Sequence, residues 1–198
     1  MAQIVLFHHV QGLTDGVRAF ARRLEEGGHE VIAPDLFDGA RAGSIEEGLA
    51  LAGRIGDEVL DARADAAIES AAPGVVVAGM SFGVMAAQRI AQTRAGVRGA
   101  LLYESCLPVT GEWAIGPWPD GLPVQIHGKA DDPVFAGDGD LDAARELVAL
   151  ARPGTAAVFT YPGDQHLFLD ESLPGYDADA TRLVIERSLE LLRAVAPR

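Results

Sequence analysis

Short runs of apolar, β-branched residues alternate along the chain with longer stretches whose apolar positions recur at helical spacing. This alternation predicts βαβ units built on a parallel sheet. Six strands are expected, over Gln3 to Phe7, His29 to Ala33, Val75 to Ala78, Ala100 to Tyr103, Val124 to His127 and Ala157 to Tyr161. Val75-Val76-Val77-Ala78 is apolar at every position, as a strand covered on both faces must be. Pro34 closes the second run because it cannot donate to a ladder. Helices are expected over Asp15 to Glu26, Ser44 to Ser70, Phe82 to Thr93, Asp140 to Ala151 and Asp179 to Val195, the second of them broken near Gly53 or Gly56. Ser44-Ile45-Glu46-Glu47 has the spacing of a capping box, and Gly27-Gly28 ends the first helix where a left-handed residue is wanted. Arg18, Arg22 and Arg23 beside Glu25 and Glu26 read as a solvated helix face. From Ser105 to Gly121 no period holds, and an irregular connection of that length is uncommon and often functional.

The length of 198 residues suits one α/β domain over the whole chain. Sixteen basic against 29 acidic side chains leave a net charge of −13, which repels nucleic acid and anionic membranes and excludes them as partners. The amino terminus lacks the basic head of a secretory signal, and no stretch approaches the roughly 20 apolar residues of a membrane helix. The single cysteine, Cys106, cannot form an internal disulfide, so the cytoplasm is the expected compartment.

Candidate chemistry begins at Gly79-Met80-Ser81-Phe82-Gly83. The pentapeptide is a weak signal alone, but here it follows a buried strand and opens a helix, the context in which a G-x-S-x-G turn lifts a serine hydroxyl off the sheet edge. A serine at neutral pH needs a base within hydrogen-bond reach, itself oriented by a carboxylate, and on this architecture the order along the chain is Ser, acid, His. His166 follows the sixth strand and is the candidate base. Asp131 and Asp132 follow the fifth, and Glu104 after the fourth is the next candidate acid. Pro133 biases Asp132 toward an extended backbone, which favours it as the acid. His29 starts a strand at the opposite edge, and His127 at a strand terminus reads as structural. Cys106 reads as a buried inert thiol. Asp138, Asp140 and Asp142 have a calcium-like spacing, but Ala143 and Ala149 stand where that loop needs glycine and glutamate, so helix capping and dipole compensation are expected instead. No cofactor and no metal are expected.

The elbow, Pro34-Asp35-Leu36-Phe37, the Gly-then-Asp loop after the fifth strand and Tyr161-Pro162-Gly163-Asp164-Gln165-His166 together resemble the dienelactone hydrolase family over almost the whole chain. The resemblance implies an α/β-hydrolase fold with a six-stranded parallel sheet, order 2-1-3-4-5-6, helices on both faces and no cap domain. It implies a small ester or lactone substrate, with Ser81, Asp132 and His166 as catalytic residues and the Phe82 and Val10 amides as oxyanion donors. The family's Gly-x-x-Asp spacing would instead select Asp131. Two departures stand out: the best-known members carry Cys where this chain has Ser81, and a Glu after their first strand is matched by His9. Phe37, Trp113, Trp118 and Phe168, with His9, are the candidate lining of a shallow substrate pocket. Thioesterase or acyltransferase activity on the same residues is one alternative, and a ligand-binding module with little turnover is another.

Overall fold

A computed structural model describes residues 1–196, and among them six strands and six helices are arranged much as the hydrophobic pattern predicts. The strands β1 (Gln3–Phe7), β2 (Glu30–Ile32), β3 (Val76–Met80), β4 (Gly99–Tyr103), β5 (Val124–Lys129) and β6 (Ala156–Tyr161) make one sheet in the order β2-β1-β3-β4-β5-β6. Every neighbouring pair is parallel. Parallel neighbours need long crossovers. Helices α1 (Asp15–Glu26), α2 (Ile45–Ile55), α3 (Asp57–Ser70), α4 (Gly83–Thr93) and α5 (Asp140–Leu150) lie on the connections, except between β4 and β5, where the irregular stretch alone makes the crossing, and α6 (Ala178–Val195) follows β6.

The period-2 alternation of each strand divides the core in two. Val5, Phe7 and Val77 face a layer formed with Leu60, Ile68, Val84, Ala87 and Leu147 of α3, α4 and α5. Ile4, Leu6, Val76 and Ala78 face the other, formed with Phe20 and Leu24 of α1 and Val184 and Leu192 of α6.

Local differences from the sequence reading have local causes. The expected helix from Ser44 to Ser70 is two helices, because Gly56 takes a φ of +87°, in the left-handed region that costs a residue with a Cβ, whereas Gly53 stays inside α2. The Ser44 hydroxyl accepts from the Glu47 amide as expected, but the Glu47 carboxylate accepts from Gly43 N–H, one residue upstream of a closed capping box. Gly28, at φ +90°, is the left-handed residue after α1, while Gly27 is not. β3 runs on through Gly79 and Met80, which carries the chain to Ser81 without slack. Among the described residues no helix is long and apolar enough to cross a membrane.

Candidate active site

Parallel strands send their following loops to one edge, and the candidate residues gather there. β3 delivers the chain to Ser81, whose φ of +46° lies in the left-handed region, an uncommon and strained place for a residue with a side chain. The Ser81 amide donates to Tyr103 O at 2.7 Å, and Ser81 O accepts from Val84 N at 2.8 Å, so the turn is held from both sides. A Cβ on Gly79 would sit 2.4 Å from Gly83 O, and one on Gly83 would sit 2.4 Å from Phe7 O. Both glycines are therefore required by close backbone approach, with α4 pressed against the end of β1.

The Ser81 hydroxyl donates to His166 Nε2 at 2.7 Å, and His166 Nδ1–H donates to Asp132 Oδ2 at 2.6 Å. Asp132 is fully buried, and its Oδ1 accepts from Val134 N at 2.9 Å, an Asx turn that aims the carboxylate. Asp131 is exposed, and its amide is used in pinning the loop to Gly163 O. Burial disfavours the His166 imidazolium, but the bond to Asp132 and the charges of Glu104, Asp132 and Asp140 prevail, so its pKa lies above the usual histidine value. Glu104 sits behind this pair at φ +64°, fully buried, with neither carboxyl oxygen hydrogen-bonded among the described residues. Burial pushes its pKa up to about 7 against the pull of His166. Of the three candidate acids, it is Asp132 that meets the imidazole.

The loop after β1 lies beside the elbow and is braced from within. His9 Nε2–H donates to Asp170 Oδ2 at 2.7 Å, and His9 Nδ1 accepts from Gln11 N at 3.2 Å. His8 Nδ1–H donates to His9 O at 2.7 Å and His8 Nε2 accepts from Leu36 N at 3.1 Å, while burial lowers the His8 pKa to about 4. Burial would raise the Asp170 carboxyl, but hydrogen bonds from His9, Ser172 and Thr14 outweigh it and hold the pKa at about 2. Between these anchors, the Val10 amide meets no backbone carbonyl among the described residues, and neither does the Phe82 amide. Sequence reasoning missed Asp170. Its only signal is a position four residues beyond His166, which acquires meaning once the loops after β1 and β6 are adjacent.

The expected pocket lining separates. His9 is fully buried with both ring nitrogens engaged, by Asp170 and by the Gln11 amide, so it braces the loop. Phe37 is buried, packed edge-on against His8 at 4.8 Å and near Phe82 at 6.0 Å. Phe168 is buried under Tyr161 and the Lys129 ammonium. The Trp118 indole N–H donates to Leu122 O at 2.9 Å and its ring packs on the core, whereas Trp113 is 84% exposed. Cys106 is buried, and burial pushes its thiol up to about 12. Asp140 does not cap α5, whose N-cap is Gly139; its carboxylate accepts from Ser105 Oγ and Cys106 N, tying α5 to the loop after β4. His127 is buried between Tyr161 and Gln125, and burial lowers its pKa to about 3. Among the described residues no group of three or more His, Cys, Asp or Glu side chains is arranged to hold a metal.

A parallel sheet ordered 2-1-3-4-5-6, with a strand-elbow-helix serine at its carboxyl edge, defines an α/β-hydrolase. The model of the dienelactone hydrolase family matches residues 1–196. The chain belongs to that family, and it is a hydrolase of ester bonds. Solved structures share the fold at low identity. A dienelactone hydrolase-like promiscuous phosphotriesterase from metagenomic libraries is 22% identical with a TM-score of 0.72, over 98% of this chain and 87% of its own. A dienelactone hydrolase from Anabaena variabilis is 20% identical with a TM-score of 0.64, over 99% and 88%. A protein from Thermus thermophilus is 18% identical with a TM-score of 0.70, over 100% and 90%. No curated protein matches the chain.

Proposed function

We propose that the protein is a serine hydrolase of small esters or lactones that works through an acyl-enzyme on Ser81. The observation that carries this reading is the continuous relay from Ser81 Oγ to His166 Nε2 at 2.7 Å and from His166 Nδ1 to Asp132 at 2.6 Å. His166 Nε2 takes the Ser81 proton as Oγ attacks the ester carbonyl carbon. Asp132 holds the imidazole in the Nδ1–H tautomer and stabilises the imidazolium. The tetrahedral oxyanion is received by the Phe82 and Val10 amides, donors that need no reorganisation as charge develops. The proton then passes from Nε2 to the leaving alkoxide, and the C–O bond breaks. Water, deprotonated by His166, repeats the attack on the acyl-enzyme and returns Ser81 free. With its pKa near 12, the Cys106 thiol supplies no thiolate for this chemistry.

Fluorophosphonate labelling followed by intact mass tests the assignment. One adduct on the native chain and none on Ser81→Ala is the expected result. No adduct on the native chain, or one that persists in Ser81→Ala, would overturn it.

A further inference from the structure

Phe82 at the N-cap of α4, Met85 and Ala86 on its first turn, and one face of α3 centred on Leu60 enclose a cleft of about 270 Å³ that is otherwise walled by Leu36, Leu107 and Ile115. Its one elbow residue is Phe82, which follows Ser81 in the chain; Ser81, His166 and Asp132 do not themselves line it. From Phe82 to Arg89 it follows seven residues of helix, about 10 Å. Its volume falls just below the roughly 300–1,000 Å³ of drug-sized sites, which suits part of a small substrate. A larger hollow of about 480 Å³ lies between the end of α4 and residues 119–123, at the amino edge of the sheet, and no residue of the elbow lines it.

The walls are held in place. The Gln88 side chain, fully buried, donates to Leu107 O at 2.8 Å and accepts from Leu107 N at 2.9 Å. Leu36 N donates to His8, and Leu36 O accepts from Arg63 at 2.5 Å. Met85 and Ile115 remain 49% and 39% exposed, which leaves two large apolar side chains in water at the cleft when nothing fills it. The charged residues there are unfavourable to an anion. Asp57 and Asp61 contribute carboxylates, and the Arg89 guanidinium is already engaged by Asp61 at 3.1 Å and Asp65 at 3.0 Å.

We propose that this cleft receives the acyl chain of the ester, and that the chain is apolar, uncharged and of medium length, with carboxylate-ended chains disfavoured. The inference rests on Ser81 acting as the nucleophile, because only then does the shared residue Phe82 place the chain next to the reacting carbonyl. Each methylene moved from water into the cleft raises kcat/KM about fourfold until the cleft is full.

The test compares p-nitrophenyl acetate, butyrate, hexanoate and octanoate with mono-p-nitrophenyl adipate, on the native chain and on Met85→Trp and Ile115→Ser. Expected are kcat/KM values that climb from acetate to hexanoate and fall at least tenfold from hexanoate to adipate. Both variants should lower the hexanoate-to-acetate ratio. Met85→Trp fills the cleft and Ile115→Ser strips a wall, so either variant suffices if the other fails to fold. A flat chain-length profile, or a ratio unmoved by either folded variant, overturns the cleft assignment while fluorophosphonate labelling of Ser81 still stands. Absence of both labelling and hydrolysis overturns the Ser81 reading and this inference with it.

Discussion

Asp131 and Asp132 are neighbours in sequence with opposite surroundings. One carboxylate is in water and the other is buried against His166. An acid that must hold the imidazole tautomer acts through that single contact, so Asp132→Asn should cost turnover on the order of 10⁴ while Asp131→Asn keeps most of it. Steady-state hydrolysis of p-nitrophenyl butyrate by both variants checks this, and the reverse ranking would contradict it. Glu104 acts on the same ring at longer range. Negative charge from Glu104, Asp132 and Asp140 favours the imidazolium, and catalysis needs the neutral ring. The rising limb of the kcat/KM profile should therefore have its inflection above the usual histidine value of about 6.5, and Glu104→Gln should move it to lower pH. A limb that ignores the substitution would show that Glu104 does not sense the base.

At the scale of elements, the elbow is where three of them meet. β3 ends, α4 begins, and α4 abuts the last residue of β1, with the glycines allowing the approach. Gly83→Ala would place a methyl group against Phe7 O and His8 O, which belong to backbone that cannot swing aside. Its cost in chemical unfolding should be at least the 1–3 kcal/mol typical of overpacking, and activity should fall because the shift displaces Ser81 and the oxyanion loop together. A variant with native stability and native kcat would mean that the junction has slack. The break between α2 and α3 belongs to this scale too, because α3, which starts just after it, carries Leu60 into the cleft wall.

For the molecule as a whole, buried carboxyls make stability depend on pH in opposing ways. Glu104 titrates near 7 in the folded chain but at the ordinary glutamate value when unfolded, so between the two the folded state binds more protons. Its contribution is therefore present in acid and is lost as pH rises toward 7. Asp170, held at about 2, behaves in the reverse sense, stabilising above the ordinary aspartate value and losing that contribution as pH falls through 2. Urea unfolding of the native chain and of Glu104→Gln at pH 5 and pH 8 separates the two. The variant should lose less stability between these pH values than the native chain does, and an equal loss would place the titration elsewhere.

The strands were legible because burial on both faces leaves no polar position, as in Val75-Val76-Val77-Ala78, and the elbow was legible because a turn so tight admits few sequences. His166 was legible from its place after the last strand. A linear pattern could not assign the acid between adjacent aspartates, since burial and the Asx turn at Val134 decide it. Nor could it foresee that His9 pairs with Asp170, that Glu104 is buried with its charge acting on the imidazole, or that Leu60 and Met85 share a cleft. The sequence by itself determined the alternation of strands and helices and the serine on its turn, because these follow from local periodicity and local sterics. Only the tertiary structure decided which carboxylate meets the base and what surrounds it, because those contacts join residues 34 to 161 positions apart, and sheet order, not sequence, brings them together.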